Sequence, residues 1–138
     1  MQTVKQISAR FSFWWLLPGL ITLALDQFLK STANNVVLNP GIAWSFPFFP
    51  SADHTLWRLA FILIGILLLS AMALWHLRLS WRQDRALAYS VLIGGAFSNF
   101  IDRLFLGAVR DIWLIPGINL MNNLADWLMV LSVIYLII

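Results

Sequence analysis

The chain has 138 residues, of which 61% are hydrophobic and 11% are charged, and its mean hydropathy is +0.82. A soluble domain carries roughly 25% charged residues, so this composition excludes an ordinary water-soluble globule as well as a disordered chain. The net charge is +3, but the basic residues are scattered between apolar runs, which argues against nucleic-acid binding. With no cysteine and only two histidines, disulfides are excluded and a metal site is disfavoured.

Four apolar segments follow one another along the chain. A helix needs about 20 predominantly apolar residues to cross a membrane. Residues 59–77 meet this requirement alone, whereas residues 11–29, 86–105 and 119–138 meet it if each tolerates one Asp near an end. The sequence therefore predicts an all-α integral membrane protein, a single domain over residues 1–138 with four transmembrane helices.

The longest predicted connection, residues 31–57, has the pattern of a small sheet. Pro40 and Gly41 stand at the central positions that a type II turn favours. Residues 36–38 and 42–46, on either side of this turn, are rich in strand-forming side chains. We therefore predict a β-hairpin that rests on the membrane surface.

Most of the acidic residues fall on one side of the predicted membrane. Because successive spans run in opposite directions, Asp26 and Asp102, near the ends of the first and third spans, meet Asp126 near the start of the fourth. Asp53 and Asp111 lie in the connections on the same side. Five of the six acidic residues are thus predicted to share one face, whichever way the protein is inserted.

The positions of the basic residues indicate the orientation. Arg78, Arg82 and Arg85 are concentrated in the connection opposite the acids, and positive connections favour the cytoplasm. The acids and the predicted hairpin are therefore expected at the extracytoplasmic face.

Two of the spans carry the same pattern of an amide three residues before a carboxyl. Asn99 precedes Asp102 and Asn123 precedes Asp126, so each amide is expected to orient the acid one turn further along its own helix. If the fourth span starts at residue 119, a rise of 1.5 Å per residue puts Asp126 roughly 10 Å inside it. Ionisable residues at such depth are costly and indicate a function.

Without cysteine, the chemistry open to these acids is that of carboxylates. Two adjacent Asp share one proton, so that one acts as a base and the other as an acid, as in aspartic proteases. Structural ion pairs, between Asp102 and Arg103 and between Asp26 and Lys30, are alternatives on spacing alone. A proton path is a further alternative, because intramembrane acids mark such paths too.

The order of the motifs resembles that of signal peptidase II, the bacterial lipoprotein signal peptidase family. The likeness covers about a hundred residues between Asp26 and Asp126. It rests on Asp26-Gln27 with Lys30, Asn39-Pro40-Gly41-Ile42-Ala43-Trp44-Ser45, Gly94-Gly95-Ala96, Asn99-Phe100-Ile101-Asp102-Arg103, the residues Gly107, Val109 and Asp111, and Asn123-Leu124-Ala125-Asp126.

This resemblance implies an intramembrane aspartic endopeptidase of the bacterial inner membrane, multi-pass and monomeric, with its active site at the extracytoplasmic face. It implies that the enzyme removes signal peptides from diacylglyceryl-modified prolipoproteins by cutting before the lipidated Cys, in contact with membrane lipid and without a cofactor. The catalytic pair would be Asp111 and Asp126. The matching supporting or substrate-binding positions are Asp26, Asn39, Gly41, Asn99, Asp102, Arg103 and Asn123.

Four positions depart from the pattern of the family, namely Ser98, Arg110, Ile112 and Asn122. Arg110 is the most consequential, because a cation next to Asp111 is expected to favour the ionised form of that carboxyl. These departures leave open a catalytically silent paralogue that binds lipidated or signal-peptide helices.

Overall fold

A computed structural model describes residues 13–40, 55–79, 83–118 and 120–138. Within these ranges a short 3-10 helix, Phe13–Leu16, leads into the first of four α-helices. The helices are α1 (Leu17–Thr32), α2 (Thr55–Leu79), α3 (Gln83–Leu106) and α4 (Leu124–Ile137). Each helix overlaps one of the four predicted apolar segments.

Four three-residue strands accompany the helices in the described part of the chain: β1 (Val37–Asn39), β2 (Val109–Asp111), β3 (Trp113–Ile115) and β4 (Leu120–Asn122). Strand β1 pairs with β2 and β3 pairs with β4, both antiparallel. The fold is therefore mostly helical with two small sheets. Gly41 and the predicted partner strand at residues 42–46 lie outside the described residues, so the hairpin stays a prediction.

A glycine cap ends α3 and turns the chain into β2. Gly107 has φ of +71°, and its N–H donates to the carbonyl oxygen of Arg103 at 3.1 Å. This left-handed conformation favours glycine, because a Cβ atom would be strained there. The turn brings β2, and with it Asp111, back towards the end of α3.

An asparagine cap sets the start of α4. Asn123 has an extended backbone, and its side-chain oxygen accepts a hydrogen bond from the N–H of Asp126 at 3.1 Å. Asparagine is among the best residues at this position because it satisfies a free N–H of the first turn. The prediction of a helix from residue 119, with Asp126 deep inside it, was wrong: β4 occupies residues 120–122, and Asp126 lies in the first turn.

Small residues allow α3 to pack closely against its neighbours, and α3 contacts α1, α2 and α4. The N–H of Gly19 on α1 donates to Ser90 Oγ on α3 at 2.9 Å. A Cβ atom at Gly94 would overlap the main chain of Gly19, and one at Gly95 would press on Met129 and Ala125 of α4. Gly94 and Gly95 therefore serve the close packing of α3 against α1 and α4.

Polarity is distributed with the charged groups inside and the large apolar groups outside. Lys30, Asn123 and several Asp side chains are fully buried, whereas Leu68, Trp75 and Phe105 are 66%, 69% and 77% exposed. A buried polar group and an exposed apolar face are the informative departures from an ordinary globule. Among the described residues, no helix combines the length and apolar character required to cross a membrane.

Candidate active site

Four acidic side chains converge at one end of the helical bundle. Asp26 comes from α1, Asp102 from α3, Asp111 from β2 and Asp126 from α4, and shared hydrogen-bond partners link them. Asp84, at the start of α3, is near the other end of the bundle, where it accepts a hydrogen bond from Tyr135. Asp53 lies outside the described residues.

Asp26, Lys30, Asp102 and Arg110 form what we term the ion-pair cluster. Lys30 Nζ lies 2.6 Å from Asp26 Oδ2 and 3.1 Å from Asp102 Oδ2. Arg110 Nη2 lies 2.7 Å from Asp102 Oδ1. The side chains of Asp26, Lys30 and Asp102 are at most 1% exposed, so their charges depend on one another for compensation.

Asp26 also anchors the start of α4 to α1. Its Oδ1 accepts from the N–H of Ala125 at 2.9 Å, and its Oδ2 accepts from Ser98 Oγ at 2.7 Å. The predicted ion pair of Asp26 with Lys30 is present, and both side chains are buried. Ser98, one of the departures from the family pattern, therefore has a defined partner in this chain.

Arg110 and Asp111 are neighbours in sequence, but their side chains occupy opposite faces of β2. Successive residues of a strand alternate in direction, so Arg110 turns towards Asp102 and Gln27 while Asp111 turns away from them. Asp102 thus pairs with Lys30 and Arg110 rather than with its sequence neighbour Arg103, which donates to the carbonyl oxygen of Asn99 at 3.1 Å.

Asp111 and Asp126, which we term the carboxylate pair, are held by amides. Asp111 accepts from Asn39 Nδ2 at 2.9 Å and from Asn123 Nδ2 at 2.8 Å, one bond to each oxygen. Asp126 Oδ1 accepts from Asn99 Nδ2 at 2.8 Å. The predicted pairing of each amide with the acid on its own helix was wrong: the side-chain amides bind across elements, Asn99 to Asp126 and Asn123 to Asp111.

The hydrogen-bond network determines which end of each amide faces the carboxylate pair. Lys30 Nζ donates to Asn99 Oδ1 at 2.8 Å, so the NH₂ of Asn99 must face Asp126. Asn123 Oδ1 accepts from the main chain of Asp126, so its NH₂ must face Asp111. The Asp126 carboxyl thus accepts one side-chain amide hydrogen bond, from Asn99, and a main-chain hydrogen bond from Asn123.

The carboxylate pair lines a cavity of about 220 Å³. Asn39, Asn99 and Arg103 provide its other polar groups, and its apolar lining comes from Ile62, Ala96, Val109, Met129 and Val130. This volume holds several waters or a short stretch of chain. Within the described ranges, no group of three His, Cys, Asp or Glu could hold a metal ion.

A second cavity, of about 250 Å³, borders the other side of Asp126. It lies between α4 and the β3–β4 sheet, and it shares Asp126 and Val130 with the first cavity. Ile115, Ile118, Leu120 and Trp127 make it apolar. Asp126 is therefore flanked by a polar space and an apolar one.

Burial changes the acidity of Asp111, which is 1% exposed. Its removal from water raises the pKa of the carboxyl above the ordinary value of 3.8, and the hydrogen bonds from Asn39 and Asn123 oppose part of that rise. Asp111 therefore takes up a proton at a higher pH than an exposed Asp does.

Comparison with known proteins gives the family. The family model of signal peptidase (SPase) II matches residues 18–138. The chain belongs to the signal peptidase II family. This confirms the resemblance on which the sequence analysis relied, and an aspartic type of protease is consistent with that family.

Curated relatives are named lipoprotein signal peptidase. The relative from Pseudomonas aeruginosa strain UCBPP-PA14 is 34% identical, with 79% of this chain and 79% of that protein covered. The Pseudomonas putida relative is 30% identical, with 76% and 71% covered. The Lactiplantibacillus plantarum relative is 33% identical, with 72% of this chain covered. The match spans 63% of the length of that relative.

Solved structures share the fold. A structure described as a bacterial membrane enzyme superposes with a TM-score of 0.69 at 22% identity, covering 92% of this chain and 87% of the other. A second structure of the same description gives a TM-score of 0.67 at 20% identity, covering 92% of both chains. The four helices with their small sheets are thus an arrangement found in bacterial membrane enzymes.

Proposed function

We propose that this chain removes the signal peptide from diacylglyceryl-modified prolipoproteins, cutting before the lipidated Cys as an aspartic endopeptidase. The observation that carries the proposal is the meeting of two carboxyls, the buried Asp111 and the half-buried Asp126, at one cavity where amides donate hydrogen bonds to them. Carboxyls held in this way can exchange protons with a bound substrate, whereas those of the ion-pair cluster are occupied by Lys30 and Arg110.

The hydrogen bonds favour different roles for the two acids. Both oxygens of Asp111 accept amide hydrogen bonds, which stabilise its ionised form and suit a general base. Asp126 accepts only one side-chain amide hydrogen bond, from Asn99, and lines the cavity, which suits the acid that holds the proton shared by the pair. We assign Asp111 as the base and Asp126 as the acid in the first step.

In that step Asp111 takes a proton from water as the water oxygen forms a bond to the carbonyl carbon of the scissile peptide. Asp126 donates its proton to the carbonyl oxygen, so the tetrahedral intermediate is neutral. Asp111 then donates its newly acquired proton to the peptide nitrogen as the C–N bond breaks. The hydroxyl proton of the intermediate returns to Asp126, which restores the starting state.

Arg103, Asn99 and Asn39 line the same cavity and are proposed to orient the peptide or the carboxylate pair. Asp26, Asp102 and Asn123 are proposed to support the site, through the ion-pair cluster and the cap of α4. Gly41, outside the described residues, is proposed to belong to the substrate-facing loop. No cofactor enters this scheme.

We further propose that the protein is embedded in a bacterial inner membrane with the carboxylate pair at the extracytoplasmic face. The exposed apolar side chains on the outside of the bundle support contact with lipid. The concentration of Arg78, Arg82 and Arg85 in the sequence between the second and third apolar segments supports this orientation. The protein is proposed to act as a monomer.

The test is cleavage of a diacylated prolipoprotein by the purified full chain in detergent, followed by mass spectrometry of both products. Asp111→Asn and Asp126→Asn are expected to lose cleavage by about 10²- to 10⁴-fold, the range for removal of a general acid or base. Asp84→Asn, which changes an acid far from the cavity, is the matched control and is expected to cleave normally.

Two results would contradict the proposal. Normal cleavage by either variant of the carboxylate pair would remove that pair from the chemistry. Binding of one equivalent of prolipoprotein by the unaltered chain without any product would point instead to a silent homologue, which the relatives' names do not favour.

A further inference from the structure

Arg110 is a charged residue that the proposed chemistry does not use, although it directly precedes Asp111 on β2. We propose that Arg110 is a positioning residue: by tying β2 to α1 and α3, it keeps the Asp111 carboxyl turned into the cavity. This inference rests on the proposed function, because it takes Asp111 as the base.

Strand β2 needs such a tie because its own pairing is short. Strands β1 and β2 have three residues each, and Val37, Leu38 and Asn39 face Asp111, Arg110 and Val109 in register. A two-stranded sheet is marginally stable even when it is longer than this. The ladder alone therefore does not define where β2 lies.

Contacts of Arg110 with two helices supply the missing restraint. Its main-chain N–H donates to Asp102 Oδ2 at 3.0 Å, and its Nη2 and Nε donate to Asp102 Oδ1 at 2.7 and 3.2 Å. Nη2 also donates to Gln27 Oε1 at 2.6 Å. Because both the backbone and the planar guanidinium hold one buried carboxylate, the position and direction of β2 are defined at this residue.

The alternation of side chains passes this restraint on to Asp111. Arg110 faces the ion-pair cluster, while Val109 and Asp111 face the opposite way and are 2% and 1% exposed. A slip of one residue in a strand exchanges its two faces. Such a slip would turn Asp111 out of the cavity and away from Asn39 and Asn123, and the contacts of Arg110 oppose it.

Arg110 also balances charge close to the carboxylate pair. The ion-pair cluster holds two acids and two bases, so loss of Arg110 leaves one net negative charge beside β2. The other charged groups that act on Asp111 are Arg103 and Lys30, which favour its ionised form, and its partner Asp126. An added negative charge raises the pKa of Asp111, so activity is lost at a higher pH on the acid side.

The test compares Arg110→Met and Arg110→Lys with the unaltered chain, in detergent, on the diacylated prolipoprotein. For Arg110→Met we expect kcat to fall about 10- to 100-fold, as for a small displacement of a catalytic group. KM should stay within about two-fold, because Arg110 does not line the cavity. The acid limb of the pH profile should move to higher pH, and Arg110→Lys should recover part of both effects.

Arg85→Met is the matched control, since it removes the same kind of side chain from the far end of α3. A loss of folded protein alone would lower the active fraction without moving the pH profile. Unchanged kcat and pH profile in Arg110→Met, or an equal change in Arg85→Met, would overturn the inference.

If Arg110→Met does not fold, Arg110→Gln decides, because it keeps a hydrogen-bond donor and removes the charge. A lower kcat with a shifted acid limb would then support the inference, and an unaltered profile would overturn it. By contrast, if the unaltered chain does not cleave the prolipoprotein, the proposed function itself is wrong. This result is obtained from the unaltered chain alone, so it is distinguishable from a failure of the inference about Arg110.

Discussion

The ion-pair cluster and the carboxylate pair lie side by side at one end of the bundle but are built differently. In the ion-pair cluster, Lys30 and Arg110 compensate two buried acids at distances of 2.6 to 3.1 Å. In the carboxylate pair, Asp111 and Asp126 receive hydrogen bonds from amides and face a cavity. Whether an acid is structural or reactive therefore depends more on its partners, cations or amides, than on its burial.

Asn99 connects the two regions. Its carbonyl oxygen accepts from Lys30 in the ion-pair cluster, and its NH₂ donates to Asp126 in the carboxylate pair. An amide transmits orientation without transmitting a full charge. The ion-pair cluster can therefore hold the carboxylate pair in place while leaving its protons free to move.

The sharpest way to break this comparison is to remove the central cation. Lys30→Met leaves Asp26 and Asp102 buried with less compensation, so we expect a loss of about 3 to 5 kcal/mol in the free energy of unfolding. Unfolding in detergent by heat or denaturant measures it. The second change Asp26→Asn should recover part of the loss; if it does not, the charge of Lys30 is not what stabilises this end of the bundle.

Replacement of Asp126, the proposed general acid, should affect cleavage strongly and stability little, in contrast to replacement of Lys30. Asp126→Asn is expected to abolish cleavage by the factor given above while changing the free energy of unfolding by less than about 1 kcal/mol, because an amide of the same shape replaces a half-buried carboxyl. Unfolding and cleavage are measured on the same preparation. A large loss of stability in this variant would mean that Asp126 is structural in the same sense as Asp102.

The close packing of α1 on α3 holds both regions together and can be tested separately. In Gly94→Ala the new methyl group would overlap the main chain of Gly19, so we expect a loss of about 1 to 3 kcal/mol in stability. Gly65→Ala is the matched control, because no atom lies near the added carbon there. Equal stability of the two variants would contradict the close approach.

Replacement of Asn39 should have a smaller effect, confined to the pKa of Asp111 in the carboxylate pair. Its hydrogen bond lowers the pKa of Asp111, against the rise that burial causes. Removal in Asn39→Ala should raise that pKa further, so the acid limb of kcat/KM moves to higher pH. Asn122→Ala, which loses a contact with Trp127 instead, is the control. A shift of the limb to lower pH would refute the assigned base.

The smallest effect is expected at the far end of the bundle. Tyr135→Phe removes the hydrogen bond to Asp84, 2.7 Å long and exposed, so the free energy of unfolding should fall by less than about 1 kcal/mol. Cleavage should not change. A loss of cleavage would show that the two ends of the bundle are coupled.

Much of the architecture could be predicted from the chain because it depends on local pattern. The four apolar segments mark α1 to α4, and Gly94 and Gly95 mark the close packing around α3. The alternation of direction predicts that Asp26, Asp102 and Asp126 share a side, and their contacts join them at one end of the bundle. These features need only periodicity, hydropathy and chain direction.

The errors at the site concern partners that are distant in sequence. Spacing pairs Asn99 with Asp102 and Asn123 with Asp126, but the side-chain amides of both donate to an acid on another element. Spacing also sets Arg110 beside Asp111, whereas the pleat of β2 separates them. The sequence gives no signal for these choices, because they depend on which surfaces the fold brings together.

The sequence by itself determined the class of the protein, the helices and the acids that could carry chemistry, because hydropathy and motif order are properties of the chain. Only the tertiary structure decided which of these acids are compensated by cations and which are left to amides at a cavity. Charge compensation depends on distance in space, and the hydrogen bonds that hold these acids join residues that are 12 to 99 positions apart in the chain.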